Sequence, residues 1–228
     1  MHDIKPARRV PYVTYLVIAL NLAMFVYQFL TLTPQENQLF VHRHGVVPLF
    51  LLSGYGPAVS TLFSSLFLHG GILHLGLNML FLHIFGDIVE DTMGHVRFAL
   101  FYLFSGVASA LAHALLDPDS QLPLLGASGA ISGVLGAYLT MFPRGRVKTW
   151  LFALFELPAF VFVVIWFGTV LLSALGTQRG WQATNVIFFA HLAGFVAGVL
   201  WLLVLGKPRL PPRTYLGPQL PTRAWGRR

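Results

Sequence analysis

The sequence predicts an all-α membrane protein: a bundle of six transmembrane helices with both termini in the cytoplasm. Three observations carry this prediction. Of the 228 residues, 56% are hydrophobic and only 10% charged, whereas soluble domains carry about a quarter charged residues. With a mean hydropathy of +0.70, the chain cannot cover a water-facing surface, so lipid must be the solvent for most of it. Six apolar runs bounded by turn signals follow one another, and the basic residues gather on alternate connections between them.

Taken in order, a polar and basic segment at 1–10 (Lys5, Arg8, Arg9) leads into a first span at roughly 11–30. No small-residue cleavage site follows, so this reads as a retained helix rather than a cleaved signal peptide. Residues 31–60 mix Pro34, Gly45, Pro48, Gly54, Gly56 and Pro57 with apolar residues, which suits a structured loop lying in the interface. Further spans are expected at roughly 61–86, 97–116, 128–142, 150–175 and 185–205. Residues 11–206 thus form one helical domain. The segment 207–228, rich in Pro and Arg and without apolar period, is expected to be a disordered basic cytoplasmic tail.

The net charge of +7 invites a nucleic-acid reading, but the positions of the charges argue against it. With six spans and the N-terminus inside, every Lys and Arg except Arg43 and Arg179 falls on the inner side. That is the positive-inside signature, with attraction to anionic lipid as its by-product. Nucleic acid is not an expected partner. The chain has no cysteine, which excludes disulfides, thiolate nucleophiles and thiolate metal sites.

One span is short. About 15 residues separate Ser128 from Pro143, roughly 22 Å of helix, against a hydrocarbon core of about 30 Å. The segment entering it, Gln121-Leu122-Pro123-Leu124-Leu125-Gly126, is apolar yet cannot be helical throughout. Non-helical backbone at membrane depth is tolerated only against protein or a water-filled cavity. A hydrated pocket opening to the outside is therefore expected where the fourth span begins.

Polar side chains inside spans are functional candidates by default. Span two carries His69, His74 and Asn78, with His74 and Asn78 four apart on one helical face. Span four opens on Ser128 within Gly126-Ala127-Ser128-Gly129-Ala130, and span six carries His191 about two turns from its start. All three spans run inward, which sets these groups on one level in the outer half. Small-residue faces containing Gly129-x-x-x-Gly133 and Gly194-x-x-x-Gly198 would let the two backbones approach. Ser128 and His191 could then share a proton, with neutral His191 as general base. No Asp or Glu lies at that level in any span, Glu156 being placed at the cytoplasmic start of span five. A dyad is expected, with the Ser128 N–H, His74 and Asn78 as oxyanion donors.

Each residue taken singly has a plainer reading. Ser128 suits an N-cap, His191 a packed interhelical residue, Asn78 interhelical glue, and the glycine faces ordinary helix packing. A metal held by His69, His74 and His191 lacks a completing carboxylate or thiolate, so neither metal nor cofactor is expected. His83 and His113 fall at other depths and receive no role.

Together the segment from His69 to Asn78, Gly126-Ala127-Ser128-Gly129 and Ala190-His191-x-x-Gly194-x-x-x-Gly198 resemble the rhomboid family over residues 60–205. The resemblance implies a six-helix rhomboid fold of bacterial type. It implies a serine protease that cuts transmembrane segments of other proteins near their outer ends, with Ser128 as nucleophile and His191 as base. His74 and Asn78 become oxyanion-hole side chains, and His69 matches a family histidine that, with Gly126, Gly129, Gly194 and Gly198, supports the site. The absence of an organelle-targeting signal adds the expectation of a multi-pass protein of the bacterial plasma membrane. By the same analogy span five and the loop 176–181 form a lateral gate bent at Pro158, against the alternative of a plain packing helix with an interfacial Trp181. Two features depart from the family pattern. Ser132 stands where some relatives carry an aromatic residue that stacks on the base, and loop 31–60 lacks a Trp-Arg pair found in many. Competing readings are a catalytically silent rhomboid-like chaperone or scaffold, which would lack Ser128 or His191, and a transporter or channel, which would carry charges along a path through the membrane.

Overall fold

Backbone polar groups have no water to turn to in lipid, so an apolar chain closes its hydrogen bonds within helices. The computed structural model follows that rule. It describes residues 10–55, 58–148, 156–176 and 180–206. The expectations for Lys5, Arg8 and Arg9, for the tail 207–228 and for loop residues 177–179 lie outside the described residues, as do the side chains of Glu156 and Trp181.

The first span is α1, Tyr12–Leu30. The expected structured loop contains two helices, α2 (Pro34–His44) and α3 (Pro48–Leu52). At the start of α2 the Thr33 hydroxyl and N–H donate to the Glu36 carboxylate, and the Glu36 N–H donates back to Thr33 Oγ1, a capping box. These donors hold the Glu36 pKa below the ordinary carboxylate value. The cap is therefore complete at neutral pH and is lost as pH falls through that lowered pKa.

Span two is not the single helix expected at 61–86. A short helix α4 (Ala58–Ser64) and one 3₁₀ turn end at Phe67. The chain then breaks, and α5 (Ile72–Phe81) begins after Gly71, its N-cap. It passes through a π turn, Leu82–Gly86, into α6 (Asp87–Met93). The break sits at the Gly70-Gly71 pair, where two residues without Cβ give little reason to continue a helix. Gly94, at φ +83°, turns the chain into α7, His95–Leu116, which stops before Pro118. The helix α8 (Ser128–Met141) is as short as expected and ends before Pro143.

Span five also differs. Residues 156–158, expected within the helix, form instead a strand β2 (Glu156–Pro158) that pairs antiparallel with β1 (Arg146–Lys148), Arg146 lying opposite Pro158. Helix α9, Ala159–Gly176, begins only afterwards. Pro158 thus closes a strand, where its missing N–H costs a two-stranded ribbon little, and does not bend the helix. The last helix, α10, runs from Gly180 to Leu205, so His191 lies about three turns from its start rather than two.

Among the described residues, four helices are long and apolar enough to cross a membrane: Tyr12–Leu30, Ile72–Met93, His95–Leu116 and Val186–Leu205. Ala58–Phe67, Ser128–Met141 and Ala159–Leu172 are shorter apolar helices. Helix α8 is the axis of the bundle, with every residue from Ser128 to Tyr138 buried. It packs between α7 and α10, against the Ser105 and Ser109 side chains of α7 and in backbone contact with α10. A Cβ added at Gly194 would meet the Gly129 carbonyl, one at Gly198 the Gly133 carbonyl, and one at Gly129 the side chain of Ser109 on α7. The two small-residue faces read from the sequence therefore meet each other.

At the opposite end of the bundle from Ser128, the first turn of α1 is capped from a distance. The wholly buried Glu90 carboxylate accepts the N–H of Val13 (2.9 Å) and of Thr14 (2.7 Å), and His95 Nδ1–H donates to it at 2.6 Å. Two otherwise orphaned helix donors are satisfied by one charge at the positive end of α1. Glu90→Gln turns one acceptor into a donor facing a donor. It should lower stability by about 2–3 kcal/mol, read as the thermal midpoint in detergent, and an unchanged midpoint would refute the cap.

Candidate active site

Ser128 is the first residue of α8, with Ala127 at the N-cap position and no side-chain capping bond. Its hydroxyl is therefore not spent on its own helix, contrary to the plain N-cap reading. It lies 2.6 Å from His191 Nε2. The other ring nitrogen, Nδ1, is 2.6 Å from the Ile187 carbonyl oxygen one turn earlier on α10. A carbonyl only accepts, so Nδ1 carries the proton. Nε2 then has a free lone pair toward Ser128 Oγ–H. Ser109 on α7 donates to the Ala190 carbonyl at 2.8 Å, which anchors α10 beside the base.

Both Ser128 and His191 are buried yet border a cavity of about 730 Å³. His74, Asn78 and the entering loop Leu122–Leu125 line it as well. Asn78 is buried with its Nδ2 donor unpartnered among the described residues, an arrangement that costs free energy unless something is bound there. Gly126, at φ +118°, supplies the turn before Ser128. A Cβ at that position would sit 3.0 Å from His74 Nε2 and 3.5 Å from Ser128 Oγ, so its absence lets imidazole and nucleophile share one corner. The loop itself is tied down by a bridge between Val46 and Leu124 and by the Gly126 N–H donating to the Ser65 carbonyl.

His69 is fully buried in the break before α5 and not on the helix with His74. Its N–H donates to Gln28 Oε1 of α1 at 3.3 Å, and its ring meets the His74 ring edge-on at 5.1 Å. It stands behind His74 rather than at the cavity. The trio of His69, His74 and His191 is not gathered as a metal-binding group among the described residues.

Several cavity residues escaped the sequence reading, His113, Asp117 and Trp166 among them. His113, assigned no role, lies in the last turn of α7 and lines the same cavity as His191. Asp117, the C-cap of α7, brings a carboxylate to the lining, although the position of Nδ1 against Ile187 leaves it outside the dyad. Trp166 of α9 is buried, lines the cavity, and donates from Nε1 to Ser132 Oγ at 2.9 Å. His113 and Asp117 could have been suspected from their nearness in sequence to the loop entering α8; nothing near Trp166 pointed to the site.

Comparison with known proteins agrees with this architecture. The Rhomboid domain model matches residues 57–208. The chain is 31% identical over 163 residues to Rhomboid protein 1, mitochondrial, of Saccharomyces cerevisiae, covering 70% of this chain and 45% of the relative. It is 30% identical over 199 residues to Rhomboid protease GluP of Bacillus subtilis, covering 87% of this chain and 36% of the relative. Over 80 residues it is 39% identical to Inactive rhomboid protein 1 of Drosophila melanogaster, covering 35% of this chain and 6% of the relative. The chain spans less than half the length of each of these relatives. A named protease and a named inactive protein stand side by side among them, so activity must be argued from the residues. The apolar helices, the helix contacts and the matched domain lead to one conclusion: this chain belongs to the rhomboid family.

Proposed function

We propose that this chain is an intramembrane serine endopeptidase that hydrolyses peptide bonds in or near transmembrane segments of other membrane proteins. The observation that carries the proposal is the 2.6 Å contact between Ser128 Oγ and His191 Nε2, with Nδ1 held by the Ile187 carbonyl. In that arrangement His191 Nε2 takes the hydroxyl proton as Ser128 Oγ attacks the scissile carbonyl carbon. The oxyanion is met by the Ser128 N–H at the start of α8 and by the side chains of Asn78 and His74. Collapse breaks the C–N bond, and His191 returns its proton to the leaving amine. Water then attacks the acyl-Ser128 ester with His191 again as base, which releases the carboxylic acid and restores the hydroxyl. The step consumes one water and needs no cofactor.

The four long helices, together with the short α8 and α9, make six crossings. The distribution of Lys and Arg supports a cytoplasmic position for both termini. The cavity then opens to the outer side of a bacterial plasma membrane, where the outer end of a substrate helix can reach it. Such a helix must unwind to present its scissile carbonyl, so small or helix-breaking residues near that end are the expected preference. Purified protein incubated in detergent with a single-pass model substrate tests the reading. Two fragments joining near the substrate's outer end support it, and an intact substrate favours the catalytically silent alternative. Asn78→Ala should lower kcat by about two to three orders of magnitude, as loss of one oxyanion donor does elsewhere, with Ser128 and His191 still in place. An unchanged kcat would remove Asn78 from the oxyanion hole.

A further inference from the structure

Ser128 sits where a helix is weakest. The first residue of an α-helix has no intrahelical partner for its own N–H, and helix ends fray. Yet it is the residue whose hydroxyl must stay aligned with His191. Something beyond α8's own ladder is needed to hold it.

Ser132, one turn along α8, donates from Oγ to the Ser128 carbonyl oxygen at 2.9 Å. Serine back-bonding of this kind is common and weak by itself. Here the hydroxyl is engaged from its other side by Trp166 Nε1–H of α9, also at 2.9 Å. The direction of this chain is dictated by chemistry, because an indole N–H can only donate. The Ser132 oxygen must accept it and turns its own proton on the Ser128 carbonyl. Ser132 is 0% exposed and Trp166 2%, so neither bond competes with bulk water, and each polarises the other. Trp166 is itself seated on Phe81 of α5, with ring centroids 4.7 Å apart.

We propose that Ser132 and Trp166 are positioning residues: their hydrogen-bond chain pins the peptide group of Ser128 and thereby the direction of its hydroxyl toward His191. Three helices then share the task, with α5 seating the indole, α9 carrying it and α8 receiving it. The proposal rests on the serine-protease reading and adds to it a reason why α9, which bears neither dyad residue, matters to the chemical step. A small residue four positions beyond Ser128 is accordingly a working part of the site rather than a lost contact.

The test uses the full chain in detergent with Ser132→Ala, Trp166→Phe and the double variant. Trp166→Phe keeps an aromatic ring against Phe81 and removes only the donor and one fused ring. Three quantities are read: the rate at which a small fluorophosphonate labels Ser128 per folded molecule, kcat and KM on a single-pass substrate, and the thermal midpoint. Losing a chain built on ordinary hydrogen bonds should lower labelling rate and kcat about fivefold in either single variant. KM should stay within about twofold, and the double variant should be no slower than the slower single one. Labelling per folded molecule at the wild-type rate, with only the thermal midpoint lowered, overturns the proposal and leaves the chain as interhelical glue. So does a faster rate, or losses that multiply in the double variant. A wild-type protein whose Ser128 is not labelled and that cleaves nothing overturns the protease reading and this proposal together. A labelled wild type with unaltered variants overturns this one alone.

Discussion

Ser128→Ala should abolish cleavage of a transmembrane substrate, with kcat/KM falling at least about 10⁴-fold, and His191→Ala should do nearly the same. In energy this is about 5.5 kcal/mol of lost transition-state stabilisation. The two substitutions should not add. Once Nε2 has no hydroxyl proton to take, or Oγ has no base 2.6 Å away, the rest of the dyad is idle. The S128A/H191A protein should therefore match the weaker single variant. Residual activity would come from the oxyanion donors and from substrate binding, which these changes leave in place. Thermal midpoints measured beside the rates separate chemistry from folding. Equal cleavage by wild type and both single variants would sink the mechanism.

The largest effect on stability is expected at Gly198. A Cβ there would be forced onto the carbonyl oxygen, carbonyl carbon and Cα of Gly133. All three are backbone atoms of the buried α8, which no side-chain rotation can move. Gly198→Ala must push α10 off α8, and with it His191 away from Ser128. Overpacking usually costs about 1–3 kcal/mol, and a clash that is wholly backbone belongs at or above the top of that range. Gly168→Ala is the control. Gly168 lies on α9 with nothing within 4 Å of an added Cβ, so it should be neutral or slightly stabilising through helix propensity. Unfolding in detergent followed by circular dichroism compares the two. A Gly198→Ala protein as stable as Gly168→Ala would show that the two backbones do not meet as described.

The stability and the chemistry of this bundle are thus coupled through one surface. The glycines that let α8 and α10 touch are also what place an alcohol and an imidazole at bonding distance. Short side chains cannot bridge helices at ordinary spacing of 8–10 Å, so the site exists only because the spacing is smaller.

What the sequence determined by itself follows from composition and period. Apolar runs with turn residues at their ends announce α1, α7 and α10, and the distance from Ser128 to Pro143 announces that α8 is short. Ser128, His191, His74 and Asn78 stood out because polar groups in apolar helices are costly and rarely accidental. The tertiary structure alone decided the remainder. The break before α5 was hidden because Gly70-Gly71 lies within an unbroken apolar run, and apolarity says nothing about where a helix restarts. Strand β2 lies in an apolar run that reads as helix and β1 in a connection, because pairing of Arg146 with Pro158 is a contact between distant residues. Trp166 is 38 residues from Ser128 in sequence, and only the backbone break sets His69 behind the His74 ring rather than on its helix. Local sequence specifies which segments bury their backbone in lipid. Which side chains then face one another depends on how closely the helices approach, and that is settled only when the glycine faces pack.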